Sequence, residues 1–139
     1  MADLRVGLIG IGGMGGCHYG NYKDVKGAKL VAVADVRVDM AKEKTAGTDI
    51  TVYADYKEMI EKENVDFVDV CTPSYLHTEM TVYALEHGKH VICEKPLTGY
   101  FGKPGEENVG ASDTVLGGTA NTVDVYCNDA AYRLTMTPS

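Results

Sequence analysis

A chain of 139 residues and 15.0 kDa is the size of one domain with a sizeable core, and it is too short for two complete domains. With 45% hydrophobic and 24% charged residues it has the composition of a globular protein, which excludes a disordered tail or a fibrous repeat. Twenty acidic against thirteen basic side chains give a net charge of -7, and no basic run is present to neutralise phosphates, so nucleic acid is excluded as the expected partner.

The first ten residues, MADLRVGLIG, place Asp3 and Arg5 before a short apolar run broken by glycines. They predict neither a signal peptide nor a membrane span, and the expected compartment is the cytoplasm. Leu4 to Gly10 is rich in branched side chains and ends in glycines, which predicts a buried strand running into a tight turn. A helix is expected from Gly13 to about Val25. Lys29 to Asp35 (KLVAVAD) is nearly continuously apolar and suits a parallel strand covered on both faces.

Asp39 to Ala46 predicts a second helix stopped by Gly47, and Thr51 to Tyr53 a short third strand. Asp55 is placed to cap the next helix, with Glu58 reaching back in a variant of the capping box, and that helix ends near Glu63. Val65 to Cys71 (VDFVDVC) is the expected fourth strand, Tyr75 to His87 a helix stopped by Gly88, and Lys89 to Cys93 the fifth strand. Strands alternating with helices imply right-handed crossovers and an α/β fold, a doubly wound parallel sheet of the Rossmann dinucleotide-binding type. The expected division is a domain over residues 1–107 and a distinct tail over 108–139. Of the 33 charged side chains only Asp113, Asp124, Asp129 and Arg133 fall in that tail, whose Thr, Asn and Gly content predicts loops or weak strands rather than another crossover helix.

Gly10-Ile11-Gly12-Gly13-Met14-Gly15 satisfies G-x-G-x-x-G, a weak signal alone. Its context raises it, because it follows a predicted strand, opens a predicted helix, and is followed twenty residues after Gly15 by Asp35 at the end of the next strand. Gly10 allows the turn, Gly12 clears the approach of a pyrophosphate, and Gly15 lets the helix lie close to the sheet. The amides near Gly13 and Met14 then face the anion at the positive end of the helix. Asp35 is the expected acceptor for the ribose hydroxyls, and its charge would repel a 2'-phosphate, which favours NAD over NADP. Arg37 is either a phosphate partner or a solvated charge at a helix start.

Cys71 to His77 (CTPSYLH) follows the fourth strand, at the carboxyl edge where open parallel sheets hold ligands, and Pro73 fixes a turn there. Thr72 and Pro73 are candidate cofactor contacts; His77 either touches the ligand or helps to start the helix. Glu94-Lys95-Pro96 follows the fifth strand and brings a lysine to the same edge. A lysine partly desolvated in a cleft exchanges protons more readily, whereas the bland alternative is a surface ion pair between Lys95 and Glu94. Cys17, Cys71, Cys93 and Cys127 form no C-x-x-C pair and no ligand spacing with histidine, so neither a metal site nor a disulfide framework is expected.

VGLIGIGGMG, VAVADV, VDVCTPSYLH and GKHVICEKPLTGY, in this order and at these spacings, resemble the cofactor-binding half of the Gfo/Idh/MocA family of glucose-fructose oxidoreductases and inositol 2-dehydrogenases, over residues 4 to about 101. The resemblance implies an oxidoreductase moving a hydride between NAD, less readily NADP, and a secondary hydroxyl of a sugar, cyclitol or related polyol. It implies a pyrophosphate loop at Gly10, Gly12, Gly13, Met14 and Gly15, a ribose acid at Asp35, and cofactor contacts at Thr72, Pro73, His77, Glu94 and Lys95. Lys95 would be the catalytic residue, beside the nicotinamide and the reacting hydroxyl.

Family members continue into a second α/β domain that supplies substrate contacts and usually a catalytic Asp and His. The residues after Glu107 do not resemble the helix and sixth strand expected next, which fits a truncated or frame-shifted reading or a short form, and complete catalysis by these 139 residues is not expected. The alternative function is a stand-alone NAD-binding module without turnover, a redox sensor or a subunit assembling with a second copy or another chain.

Overall fold

The computed structural model describes residues 2–95 in full and the backbone of residues 122–127 and 130–135. Five strands, β1 (Leu4–Ile9), β2 (Ala28–Ala34), β3 (Thr51–Tyr53), β4 (Phe67–Val70) and β5 (His90–Cys93), form one sheet in the order β3-β2-β1-β4-β5, with every pair parallel. The chain starts in the middle of the sheet, builds outward to β3, then returns to the other side of β1 for β4 and β5. Between β1 and β4 the direction of winding reverses, and at such a point the loops leaving the two strands diverge and open a crevice.

Helices α1 (Gly13–Asn21), α2 (Val38–Lys44), α3 (Tyr56–Lys62) and α4 (His77–Glu86) cover the sheet. Two apolar clusters result. Val6, Leu8, Leu30 and Val33 pack with Ala41 of α2 and with Tyr19 and Tyr22 on one face; Ile9, Val31, Val68 and Val70 pack with Met59, Ile60, Met80 and Ala84 of α3 and α4 on the other. The near-continuous apolar runs of β1 and β2 are explained by this double cover. Among the described residues no helix is long and apolar enough to cross a membrane.

Several boundaries differ from the expected ones. The first helix ends at Asn21 and gives way to a 3-10 turn, Tyr22–Asp24, rather than running on to Val25. Val65 and Asp66 stand outside β4, and the Asp66 carboxylate accepts from the Arg5 backbone N–H at 2.6 Å at the start of the pairing with β1. A 3-10 turn, Ser74–Leu76, precedes α4, so that α4 begins at His77 and not at Tyr75. Asp55 caps α3 as expected, accepting from the Lys57 N–H at 2.9 Å, but Glu58 takes the Lys62 ammonium one turn on and does not serve as the return partner of a capping box. In the tail, β6 (Thr122–Cys127) and β7 (Ala130–Thr135) pair antiparallel as a separate two-stranded sheet, in keeping with strands rather than a helix there.

Candidate functional site

The turn from β1 into α1 is built on glycine for steric reasons that can be read directly. Gly10 has φ 85°, a left-handed conformation, and a Cβ there would meet the Cys71 carbonyl oxygen at 2.9 Å. A Cβ on Gly15 would lie 1.8 Å from the Gly10 carbonyl oxygen and 3.1 Å from Cys71 Cβ. The helix therefore lies against both the turn and the end of β4, and its first turn has neither a side-chain cap nor an acidic residue. Uncapped N–H groups and the helix dipole together make this end attractive to an anion.

A cleft of about 580 Å³ opens beside this turn over the carboxyl ends of β1, β2 and β4. Gly10, Gly12, Gly13, Met14, Asp35, Thr72 and Pro73 all line it, so residues 62 positions apart in the chain meet at one sheet edge. Among the described residues six large apolar side chains are exposed, and three of them, Met14, Val36 and Tyr75, rim this cleft. Apolar rims around a few convergent polar groups suit a flat, partly apolar ligand.

Asp35 sits at the end of β2 with its side chain almost wholly covered. Its Oδ2 accepts from the Ile11 N–H at 3.0 Å, tying the glycine turn to β2, and its Oδ1 accepts from the Arg37 N–H at 2.8 Å. Each carboxylate oxygen keeps a further lone pair for a ligand hydroxyl. The Arg37 side chain is largely exposed and bends back over the cleft: its Nε lies 3.5 Å from Asp35 Oδ1, and its Nη2 lies 2.8 Å from where a Gly12 Cβ would stand. Arg37 is thus neither freely solvated nor remote from the ligand path.

His77 does not line the cleft. It is 1% exposed, and its Nε2 lies 2.8 Å from the Thr72 carbonyl oxygen, so it braces the loop that carries Thr72 and Pro73 instead of meeting a ligand itself. Gly15 likewise acts through packing. Glu94 and Lys95 stand one strand further along the same edge, outside the cleft lining, where the Glu94 N–H continues the sheet by donating to the Val70 carbonyl at 3.0 Å. Lys95 is exposed, and among the described residues its ammonium makes no ion pair. The alternative of a surface ion pair with Glu94 is not formed among the described residues, where the Glu94 carboxylate meets His18 instead; Pro96 lies outside the described residues.

The partner of Glu94 is a residue that the sequence reading did not single out. His18 of α1 places Nε2 at 2.9 Å from Glu94 Oε1 and Nδ1 at 2.8 Å from Asp69 Oδ2. Asp69 is 1% exposed, and the same oxygen also accepts from the Tyr22 hydroxyl at 2.7 Å. Cys71 completes the group, its thiol 3.4 Å from Asp69 Oδ1 and 3.3 Å from His18 Nδ1. The Asp69 hydrogen bond raises the imidazole above its usual 6.5 against the opposing effect of burial, with Glu94 adding to the rise. Burial first, then Asp69, pushes the Cys71 thiol and the Tyr22 phenol upward, so both remain protonated donors at neutral pH. His18, Asp69 and Cys71 are side chains of metal-ligand type within 4.8 Å of one another, but each is partnered by another member of the group.

The arrangement fits a dinucleotide on three counts: a turn into which side chains at Gly10 and Gly15 would not fit and which therefore offers bare backbone, an uncapped helix end, and a buried carboxylate with lone pairs to spare. The GFO_IDH_MocA family, described as an oxidoreductase family with an NAD-binding Rossmann fold, matches residues 4–103. Myo-inositol 2-dehydrogenase of Thermotoga maritima is 40% identical over 96 residues, which are 68% of this chain and 29% of that protein. Levoglucosan dehydrogenase of Pseudarthrobacter phenanthrenivorans is 33% identical over 125 residues, 83% of this chain and 31% of that protein. Scyllo-inositol dehydrogenase of Lactobacillus casei, solved with NAD(H) and scyllo-inositol bound, superposes with a TM-score of 0.66 at 28% identity, over 69% of this chain and 29% of that one. The chain spans about three tenths of the length of these proteins.

Proposed function

Because the chain belongs to the Gfo/Idh/MocA oxidoreductase family and carries its NAD-binding Rossmann domain, we propose that it forms the cofactor half of a dehydrogenase acting on a secondary hydroxyl of a cyclitol, sugar or related polyol. The observation that carries this reading is the meeting of the glycine turn, Asp35 and the Thr72-Pro73 loop around one cleft, with the Glu94-Lys95 pair on the adjoining strand end.

Gly12, Gly13 and Met14 would hold the pyrophosphate through backbone amides, with Gly10 and Gly15 fixing the turn. Asp35 would accept from the adenosine ribose hydroxyls, and its negative charge supports NAD over NADP. Thr72 and Pro73 would lie along the cofactor, with His77 bracing them from behind. When bound, the nicotinamide supplies the acceptor or donor of the hydride. Lys95, as the neutral amine, would take the proton from the reacting hydroxyl oxygen in oxidation and, as the ammonium, return it in reduction; its side chain makes no ion pair with Glu94 and is accessible. Substrate contacts would come from a second domain, as the resemblance implies.

Lys95 tests the proposal. In a form of the protein that includes a substrate-binding domain, Lys95→Met is expected to keep NAD affinity within a few fold and to lower turnover by about 100-fold or more, the scale of a general acid-base group. Turnover retained in that variant removes Lys95 from the chemistry.

A further inference from the structure

Asp69, Cys71 and Glu94 share one face of the sheet, the face on which α1 packs, because Asp69 and Cys71 are two apart along β4 and Glu94 follows the strand that pairs with it. His18 fills the space between them. A continuous hydrogen-bonded path results: Tyr22 hydroxyl to Asp69, Asp69 to one nitrogen of His18, the other nitrogen to Glu94 Oε1, and Glu94 Oε2 to the Lys95 backbone N–H at 3.2 Å.

We propose that His18 is a positioning residue for Lys95, which as an imidazolium clamps Glu94 and through it fixes the backbone of the lysine, and which releases both on losing its proton. The proposal rests on the cofactor-site reading above. Both ring nitrogens face carboxylate oxygens, so only the doubly protonated ring donates to both. When one proton leaves, the other stays on Nδ1. Asp69 is buried and has no access to water as a substitute donor, whereas Glu94 is partly exposed and has. The bare Nε2 lone pair then opposes Glu94 Oε1, and the clamp opens at the Glu94 side.

Among the described residues, the groups facing His18 from the elements packed around it are Tyr22 after α1, Asp69 and Cys71 of β4 and its end, and Glu94 after β5. Tyr22 and Cys71 act as donors to Asp69 and do not replace it as an acceptor. The His18 pKa is raised above 6.5, so the clamp is closed at and below that pH and opens as the pH rises through the folded value.

The test is a pH titration of the 139-residue chain by NMR between about pH 5 and about pH 9, a range that brackets an imidazole. The His18 ring and the Lys95 backbone amide should change with one common midpoint above 6.5. His18→Gln should abolish the Lys95 inflection, and the milder Glu94→Gln should both abolish it and lower the His18 midpoint while leaving the fold in place. A Lys95 amide indifferent to pH while His18 titrates, or an inflection that survives either substitution, overturns the positioning role. NADH added at each end of the titration examines the cofactor reading separately through the amides of Gly12 and Asp35. A response there without pH coupling at Lys95 overturns the clamp alone; coupling without any such response overturns the site reading on which the clamp acts.

Discussion

A Cβ on Gly15 would stand 1.8 Å from the carbonyl oxygen of Gly10, whereas a Cβ on Gly13 would meet nothing within 4 Å. Two glycines of one motif therefore carry different demands. Gly15→Ala must push α1 off the turn, and its cost should exceed about 3 kcal/mol, the upper end of ordinary overpacking. Gly13→Ala gains helix propensity at no steric cost and should leave stability within about 1 kcal/mol of the parent or above it. Urea unfolding of the two variants measures both, and equal effects would refute the geometry of the turn.

Asp35 holds two jobs in the site, since it ties Ile11 to β2 and presents its remaining lone pairs to the cleft. Asp35→Ala is expected to weaken NAD binding by about 1 to 3 kcal/mol, the cost of unpaired polar groups, while weakening NADP much less. Arg37 is already curled over Gly12, and with the carboxylate removed it is free to pair with a 2'-phosphate. An unchanged ratio of the two affinities in Asp35→Ala would show that Asp35 does not read the ribose.

His18 links protonation to stability as well as to position. Its folded pKa is raised above 6.5, so the stabilisation from its carboxylates is complete below 6.5 and is lost as the pH rises through the folded value. The urea midpoint should therefore fall between mildly acidic and mildly alkaline solution, and the fall should be smaller in His18→Gln. Equal slopes in the two proteins would mean that the imidazole is not charged in the fold.

Much of the sheet is legible in the residues. β3 coincides with Thr51–Tyr53, and Gly47 and Gly88, both at positive φ, stand where the helical patterns were expected to stop. The cleft beside the glycine turn is legible too, because its motif is local: six residues and one acid at a fixed distance encode the turn, the helix end and the buried carboxylate beside them. The relay through His18 is of another kind. It joins positions 51 and 76 apart in the chain, and no short spacing encodes it.

One signal was present nonetheless. Asp69 lies inside the apolar run VDFVDVC, and a carboxylate buried in a central strand requires partners, which Tyr22, His18 and Cys71 provide. His77 shows the converse. Its place in a loop at the sheet edge suggested a ligand contact, but a residue at the first position of a helix can equally turn inward, and here it holds the Thr72 carbonyl.

A domain of this family with this cleft should take a nicotinamide dinucleotide. Calorimetric titration of the 139-residue chain with NADH and with NAD, at protein concentrations in the micromolar range, measures this directly. One-site binding of either, weakened in Asp35→Ala, is the predicted result. No heat of binding from either nucleotide to a folded chain would contradict it, and would remove the oxidoreductase reading together with the site.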